Sequence, residues 1–272
     1  SLAAEFDVEP LPETKQLFEH IKVLREKEQH LVLPIESTLF VDRKELHQAN
    51  ALLNDPNCRL LTIVGPGGAG KTRLIMEMAH EQNRFFLDGV YFVELADVDQ
   101  HGLETAIAIA IGLQFSGQRT NTKQIEDFLW GKELLLILDN FEHLLVSSNS
   151  DTGKAATNLP SSILKSTQNV KILISSRERL NLNEEWVLNC GGLPYPTNLS
   201  LPNLETFPSI QLFQKAAQRI VSEFDFEEQK PAVVEICQLV QGLPLGIKLA
   251  ASLVNNQTAG QIADSIKANV IN

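Results

Sequence analysis

Leu60-Leu61-Thr62-Ile63-Val64-Gly65-Pro66-Gly67-Gly68-Ala69-Gly70-Lys71-Thr72 is the stretch whose reading decides the fold. Its first five residues form a continuous apolar run, as expected of a strand buried on both faces. The next eight match G-x-x-x-x-G-K-[ST], and Lys71 to Gln82 continues as a helix. In that order the glycines leave backbone N–H groups unobstructed by Cβ atoms, at the positive end of a helix dipole. This is an anion site suited to phosphates. Lys71 is placed to reach β- and γ-phosphates, and the Thr72 hydroxyl to ligate Mg²⁺. Gly65, Pro66, Gly67, Gly68, Ala69, Gly70 and the following Arg73 complete the candidate nucleotide-binding loop.

Outward from this stretch, apolar strands alternate with helical segments. Strands are expected at Val90–Val93, Glu133–Leu138 and Val170–Ile174, and helices at Arg43–Leu53, Leu103–Ile111 and Gln124–Trp130. Such alternation indicates a parallel sheet with helices on both faces. Beyond Pro194 no strand is evident, and residues 208–223, 231–240, 243–254 and 259–268 have helical period. The expected fold class is therefore α/β: a P-loop NTPase parallel sheet followed by a small all-helical domain. Leu193–Pro208 is the proline-rich crossing. Residues 12–29 are a further expected helix opened by Pro12, Leu31–Thr38 a linker, and the polar Ser147–Asn158 a surface loop. The domain boundaries expected are 1–30, 31–45, 46–193 and 194–272.

Composition removes several function classes. The chain has 272 residues, 43% of them hydrophobic, enough for a sizeable core and unlike a disordered or collagenous chain. With 23 Lys+Arg against 34 Asp+Glu, the formal charge is −11, which opposes nucleic-acid binding by this piece through its overall field. Cys58, Cys190 and Cys237 show no metal or redox spacing and read as inert thiols in a reducing, cytoplasmic compartment. No apolar run approaches the roughly 18 residues of a membrane span. The start at Ser1, without Met, reads as that of an excised fragment.

A P-loop needs an acid for its metal. Leu134 to Leu138 presents Asp139 at the carboxyl end of a buried strand, where open α/β sheets bind ligands. Asn140 follows where many ATPases carry an acid, and an amide cannot take up a proton, so slow hydrolysis is expected. Glu142 could substitute through a water. The next strand ends in Ser175-Ser176-Arg177, and Arg177 could extend its guanidinium to a γ-phosphate. Lys71, Asp139 and Arg177 are the candidate catalytic residues, and Thr72 and Asp139 the candidate metal ligands. A guanine-specific N-K-x-D element is lacking: Asn121-Thr122-Lys123-Gln124 has no acid at its fourth place.

Taken together, these motifs resemble the NB-ARC-like branch of the STAND ATPases across roughly residues 35–270. Phe40-Val41-Asp42-Arg43 looks like that family's hydrophobic–hydrophobic–Gly–Arg opening motif, with Asp42 in place of its glycine. Leu138-Asp139-Asn140-Phe141-Glu142-His143 corresponds to the Walker B region, Ser175-Ser176-Arg177 to the sensor arginine, and Gly242-Leu243-Pro244-Leu245 to the GLPL motif. The resemblance implies that Val41 and Arg43 lie against the nucleotide and that Pro244 packs on adenine. Lys248, one helical turn later, faces the same side. Leu2 to Thr14 resembles the end of a bacterial transcriptional activator domain, the helical module of SARP-type regulators.

The resemblance implies an ATP/ADP-dependent switch using Mg²⁺ within a transcriptional regulator. It would self-assemble in its ATP state and touch DNA only through another domain. A turnover ATPase, a vestigial P-loop scaffold and a STAND protein of defence signalling remain alternatives.

Overall fold

The computed structural model describes residues 31–32, 39–99, 101–145 and 151–270. The expected helix at 12–29 and the activator-domain resemblance lie outside them. The sheet has six parallel strands: β1 (Leu31–Val32), β2 (Leu60–Val64), β3 (Val90–Glu94), β4 (Leu135–Asp139), β5 (Lys171–Ser176) and β6 (Glu185–Asn189). Their spatial order is β1-β3-β4-β5-β2-β6. β5 thus lies between the strand that leads into the P-loop and the strand that ends in Asp139, and the three carboxyl ends meet at one edge.

The apolar runs behave as a two-faced sheet requires. All five residues of β4 are buried. Leu136 and Leu138 pack on one face with helices α3 (Leu103–Ile111), α4 (Asn121–Leu129) and α6 (Asp151–Ser166). Leu135 and Ile137 pack on the other with α1 (Lys44–Asn54) and α2 (Lys71–Gln82). A side-chain period of two, apolar on both faces, demands this double cover. The short α5 (Glu142–Leu145) follows β4 directly.

Beyond β6 the described residues form only helices: α7 (Pro208–Gln218), α8 (Phe226–Leu239), α9 (Pro244–Ala251) and α10 (Ala259–Val270), apart from a 3₁₀ turn at Leu204–Thr206. Their core is separate from the two sheet cores, yet it includes Val41 and Leu193 from the segments flanking the α/β part. The arrangement is the α/β sheet plus helical region that the sequence predicts.

Four local expectations change. β6 was not anticipated: its Glu185-Trp186-Val187-Leu188-Asn189 is only partly buried at the sheet edge, so it lacks the continuous apolar signal of a central strand. Two residues of the supposed linker, Leu31 and Val32, pair in parallel with Val90 and Tyr91 of β3. The polar stretch read as a loop is helical from Asp151 onward, despite Pro160 within the helix, while residues 146–150 lie outside the described part. Helix α8 also begins earlier than Pro231 suggests. Asp225 caps it, its carboxylate accepting the Glu228 N–H at 3.3 Å, and Pro231 is carried inside.

The crossing to the helical lobe depends on Gly242. Its φ is +67°, and a Cβ there would stand 2.1 Å from the Leu193 carbonyl oxygen. Its own carbonyl accepts the Leu193 N–H at 2.8 Å. Gly242→Ala must therefore break this pairing as well as bear the left-handed backbone cost. Gly131→Ala, at φ +77° with open space around it, bears only that cost, about 1–2 kcal/mol. Denaturant unfolding followed by circular dichroism should show Gly242→Ala losing clearly more stability than Gly131→Ala.

Candidate nucleotide site

The P-loop leaves the end of β2 and is anchored from both neighbouring strands. Gly65 N–H donates to Ser176 O of β5 at 3.2 Å, and Cys190 N–H, just past β6, donates to Val64 O at 2.7 Å. The N–H groups of Gly67, Gly68, Gly70, Lys71 and Thr72 have no acceptor among the described residues. They lie at the N-terminus of α2, a twelve-residue helix. Unmatched donors at a helix start are a set of groups that phosphate oxygens satisfy. Lys71 is buried, and its Nζ donates to Gly65 O at 2.9 Å and Pro66 O at 3.2 Å, so the ammonium is held against the loop.

The two candidate metal ligands touch. Thr72 Oγ1 donates to Asp139 Oδ2 at 2.8 Å. The other carboxylate oxygen, Oδ1, accepts from Ser175 Oγ. That hydroxyl in turn accepts the Asn140 N–H at 2.9 Å. Ser175 is thus a positioning residue that sequence reasoning passed over, taken only as a neighbour of Arg177. Its role follows from strand order, which the sequence does not give: β5 sits beside β4, so its last residues face Asp139. Asn140 has φ +61°, a turn conformation that asparagine tolerates and most residues do not. Among the described residues no cluster of three or more His, Cys, Asp or Glu could hold a metal by itself. Thr72 and Asp139 fit a cation whose remaining ligands are phosphate oxygens and water.

Burial raises the Asp139 carboxyl above its ordinary 3.8, against the lowering effect of the hydrogen bonds from Ser175 and Thr72; the Glu142 charge pushes the same way as burial. Burial also raises Cys58 to about 11 and Cys237 to about 12, which keeps these thiols protonated and unreactive.

Arg177 lies over the loop, its guanidinium 3.6 Å from where a Cβ on Gly67 would be. Its Nε donates to Glu142 Oε1 at 3.1 Å. Val41, Arg43, Gly70, Arg73, Pro244 and Lys248 line one cleft between the two lobes, together with Leu39, Phe40, Leu193 and Leu212. Arg73 stacks over the Phe40 ring, 5.4 Å from its centroid, and pairs with Glu77. Arg43 is almost fully buried and turned toward protein: Nε to Glu45 at 3.0 Å, Nη1 to Ala69 O at 2.9 Å and Nη2 to Gly191 O at 3.0 Å. Its fork is therefore occupied in holding the loop to Gly191, just before the interlobe crossing. Glu45, its partner, was not anticipated as part of the site.

The helical lobe reaches the P-loop directly. Leu245 N–H donates to Gly68 O at 3.2 Å. Gly68 has φ +77°, and a Cβ there would meet the Leu245 Cβ at 2.8 Å, so this approach requires glycine.

Asp139 binds a proton more readily folded than unfolded, so its contribution to stability is greatest at low pH and falls as pH rises through its elevated folded value. The cost of the buried charge therefore grows as the pH rises. Asp139→Asn should accordingly raise the melting temperature of the nucleotide-free protein at pH 7, while losing the stabilisation that Mg²⁺-ATP confers. Differential scanning fluorimetry with and without Mg²⁺-ATP measures both effects.

Residues 55–181 match the family described as "AAA domain". The chain is 31% identical over 211 residues to a Mycobacterium tuberculosis protein (strain ATCC 25618 / H37Rv) named "Putative HTH-type transcriptional regulator", covering 76% of this chain and 22% of that one. It is 32% identical over 218 residues to an uncharacterized protein of the same strain, covering 79% of this chain and 50% of that one. The chain thus spans between a fifth and a half of the length of these relatives. Among solved structures, that of C. elegans PCH-2 is similar with a TM-score of 0.51 at 15% identity, over 94% of this chain and 69% of that chain. Among the described residues no helix is long and apolar enough to cross a membrane. The chain carries a P-loop NTPase fold, its residues 55–181 are similar to the AAA domain family, and its relatives include proteins named as transcriptional regulators.

Proposed function

We propose that this chain is the ATP/ADP-responsive core of a multidomain transcriptional regulator of the STAND class, NB-ARC-like in organisation. The observation that carries the reading is the contact of Leu245 with Gly68. Any change in the P-loop on nucleotide binding is thereby felt at the first turn of α9, and through it by the whole helical lobe. The ordered motifs from Phe40 to Leu245 and the regulators among the relatives support the same conclusion.

In this reading residues 1–30 end an activator domain, 31–45 lead into the site, 46–193 form the nucleotide-binding domain and 194–272 the helical one. Nucleotide with Mg²⁺ supplies the phosphate charge to which the site responds. Backbone N–H groups from Gly67 to Thr72 and the Lys71 ammonium bind that charge. Thr72 and Asp139 hold the metal. Val41, Pro244 and Lys248 face the base, with Arg43 holding the loop in place. Arg177 distinguishes ATP from ADP, the differential contact that a switch requires. Asn140 gives no proton acceptor after Asp139, which favours a slow switch over rapid turnover. The assembled ATP state is cytoplasmic and oligomeric, and DNA is read by another part of the protein.

Shifting such an equilibrium from 1:99 to 99:1 takes about 5.5 kcal/mol of differential binding. One exposed guanidinium falls short of that, so an inducer or partner must share the work. Isothermal titration should find Lys71→Ala weakened roughly a hundredfold for both nucleotides, as expected for loss of a charge-assisted phosphate contact. Arg177→Ala should weaken ATP about tenfold, a loss of about 1.4 kcal/mol, with little change for ADP. Equal losses for both would reject the sensor role, and turnover of many ATP per second would reject the slow switch.

A further inference from the structure

Glu142, the first residue of α5, is absorbed by neither the phosphate loop nor the metal ligands. Its side chain is 12% exposed, and its only hydrogen-bond partner among the described residues is Arg177. The second carboxylate oxygen, Oε2, is buried with no hydrogen-bond partner among the described residues. The guanidinium is 64% exposed and stands between this carboxylate and the P-loop at Gly67. The cation expected to meet a γ-phosphate is thus already engaged by an anion of this chain's own. Glu142 is also near enough to Asp139 for its charge to raise that carboxyl. It therefore belongs to the phosphate end of the site rather than to the outer surface.

We propose that Glu142 is a latch that competes with the γ-phosphate for Arg177, and so biases the protein against its ATP state. The inference rests on the nucleotide-switch reading above and adds its regulation. Glu142 holds the guanidinium through Nε and so fixes where its other donors point, and a γ-phosphate that draws Arg177 onto itself must pull it away from Glu142. ADP leaves the pair intact. The exposure of Arg177 suits a displaceable contact, because exposed ion pairs are weak. The partly buried position of Glu142 gives the carboxylate a reason to keep its partner, since a desolvated charge without one is costly. In this account Asn140 offers no acid, and Glu142 is the carboxylate paired with the sensor.

The test is a double-mutant cycle on the full chain with Glu142→Gln, Arg177→Ala and the pair combined, titrated with ADP and with the slowly hydrolysed analogue ATPγS in Mg²⁺. Glu142→Gln keeps shape and removes charge. It should raise the preference for ATPγS over ADP roughly two- to five-fold, the range that exposed ion-pair couplings span. In the Arg177→Ala background the same change should have no effect on that preference. If Glu142→Gln does not fold, Glu142→Ala is measured in its place against the same expectation. An unchanged preference overturns the latch. A gain that persists without Arg177 overturns it as well, because it reports only a weaker negative field at the phosphates. Loss of hydrolysis with unaltered binding would make Glu142 a proton acceptor instead and likewise reject the latch. If the wild-type protein binds neither nucleotide, the switch reading itself fails and the latch with it. Binding that Glu142→Gln leaves unmoved sinks the latch alone.

Discussion

A single buried guanidinium ties the opening segment and the chain just before the interlobe crossing to the phosphate loop. Arg43 arrives from the segment before the first α/β helix, yet its fork ends on Ala69 of the P-loop and on Gly191 just before the interlobe crossing, with Glu45 as counter-ion. A charge this deep must be paired and hydrogen-bonded to persist. The planar fork allows one side chain to satisfy partners from three segments of chain, which an ammonium on a flexible stem would do poorly. The loop, the approach to the crossing and the opening segment are therefore held in register by one residue. On that frame Leu193 pairs with Gly242, and Leu245 comes to rest on Gly68.

The other end of the site is organised by unfavourable electrostatics. Asp139 is buried, its carboxyl hydrogen-bonded by Ser175 and Thr72 but raised by desolvation and by Glu142. Burying that charge costs stability in the unliganded protein, a cost that a compensating cation would offset. Sites that bind ions commonly carry such strain, and mutations that relieve it stabilise the fold at the expense of binding. The Glu142–Arg177 pair follows the same logic, two opposite charges held together until a stronger anion takes one of them.

Much of this was legible in the residues. Apolar runs at Leu60–Val64 and Leu134–Leu138 foretell central strands because burial on both faces leaves no room for alternation. The spacing of Gly65, Gly70, Lys71 and Thr72 states its own chemistry. Edge strand β6 was hidden for the converse reason: a partly exposed strand needs no apolar continuity, and its identity comes from pairing with β2. The helix at 151–166 was hidden because polar composition and an internal proline outweigh local helical preference on paper, while packing of Leu159, Ile163 and Leu164 on the sheet stabilises it.

Sequence alone determined the α/β class with its helical appendage and the residues of the phosphate loop, because local geometry and the chemistry of each side chain are set within a few residues. Tertiary structure decided what those residues touch. It turned Arg43 inward to bind backbone, brought Ser175 beneath Asp139, closed Leu245 on Gly68 and paired Glu142 with Arg177. Each of these joins residues at least 35 positions apart except Arg43 to Ala69, which lie 26 apart. Contacts over such distances depend on strand order and lobe docking, and no pattern along the chain encodes either directly.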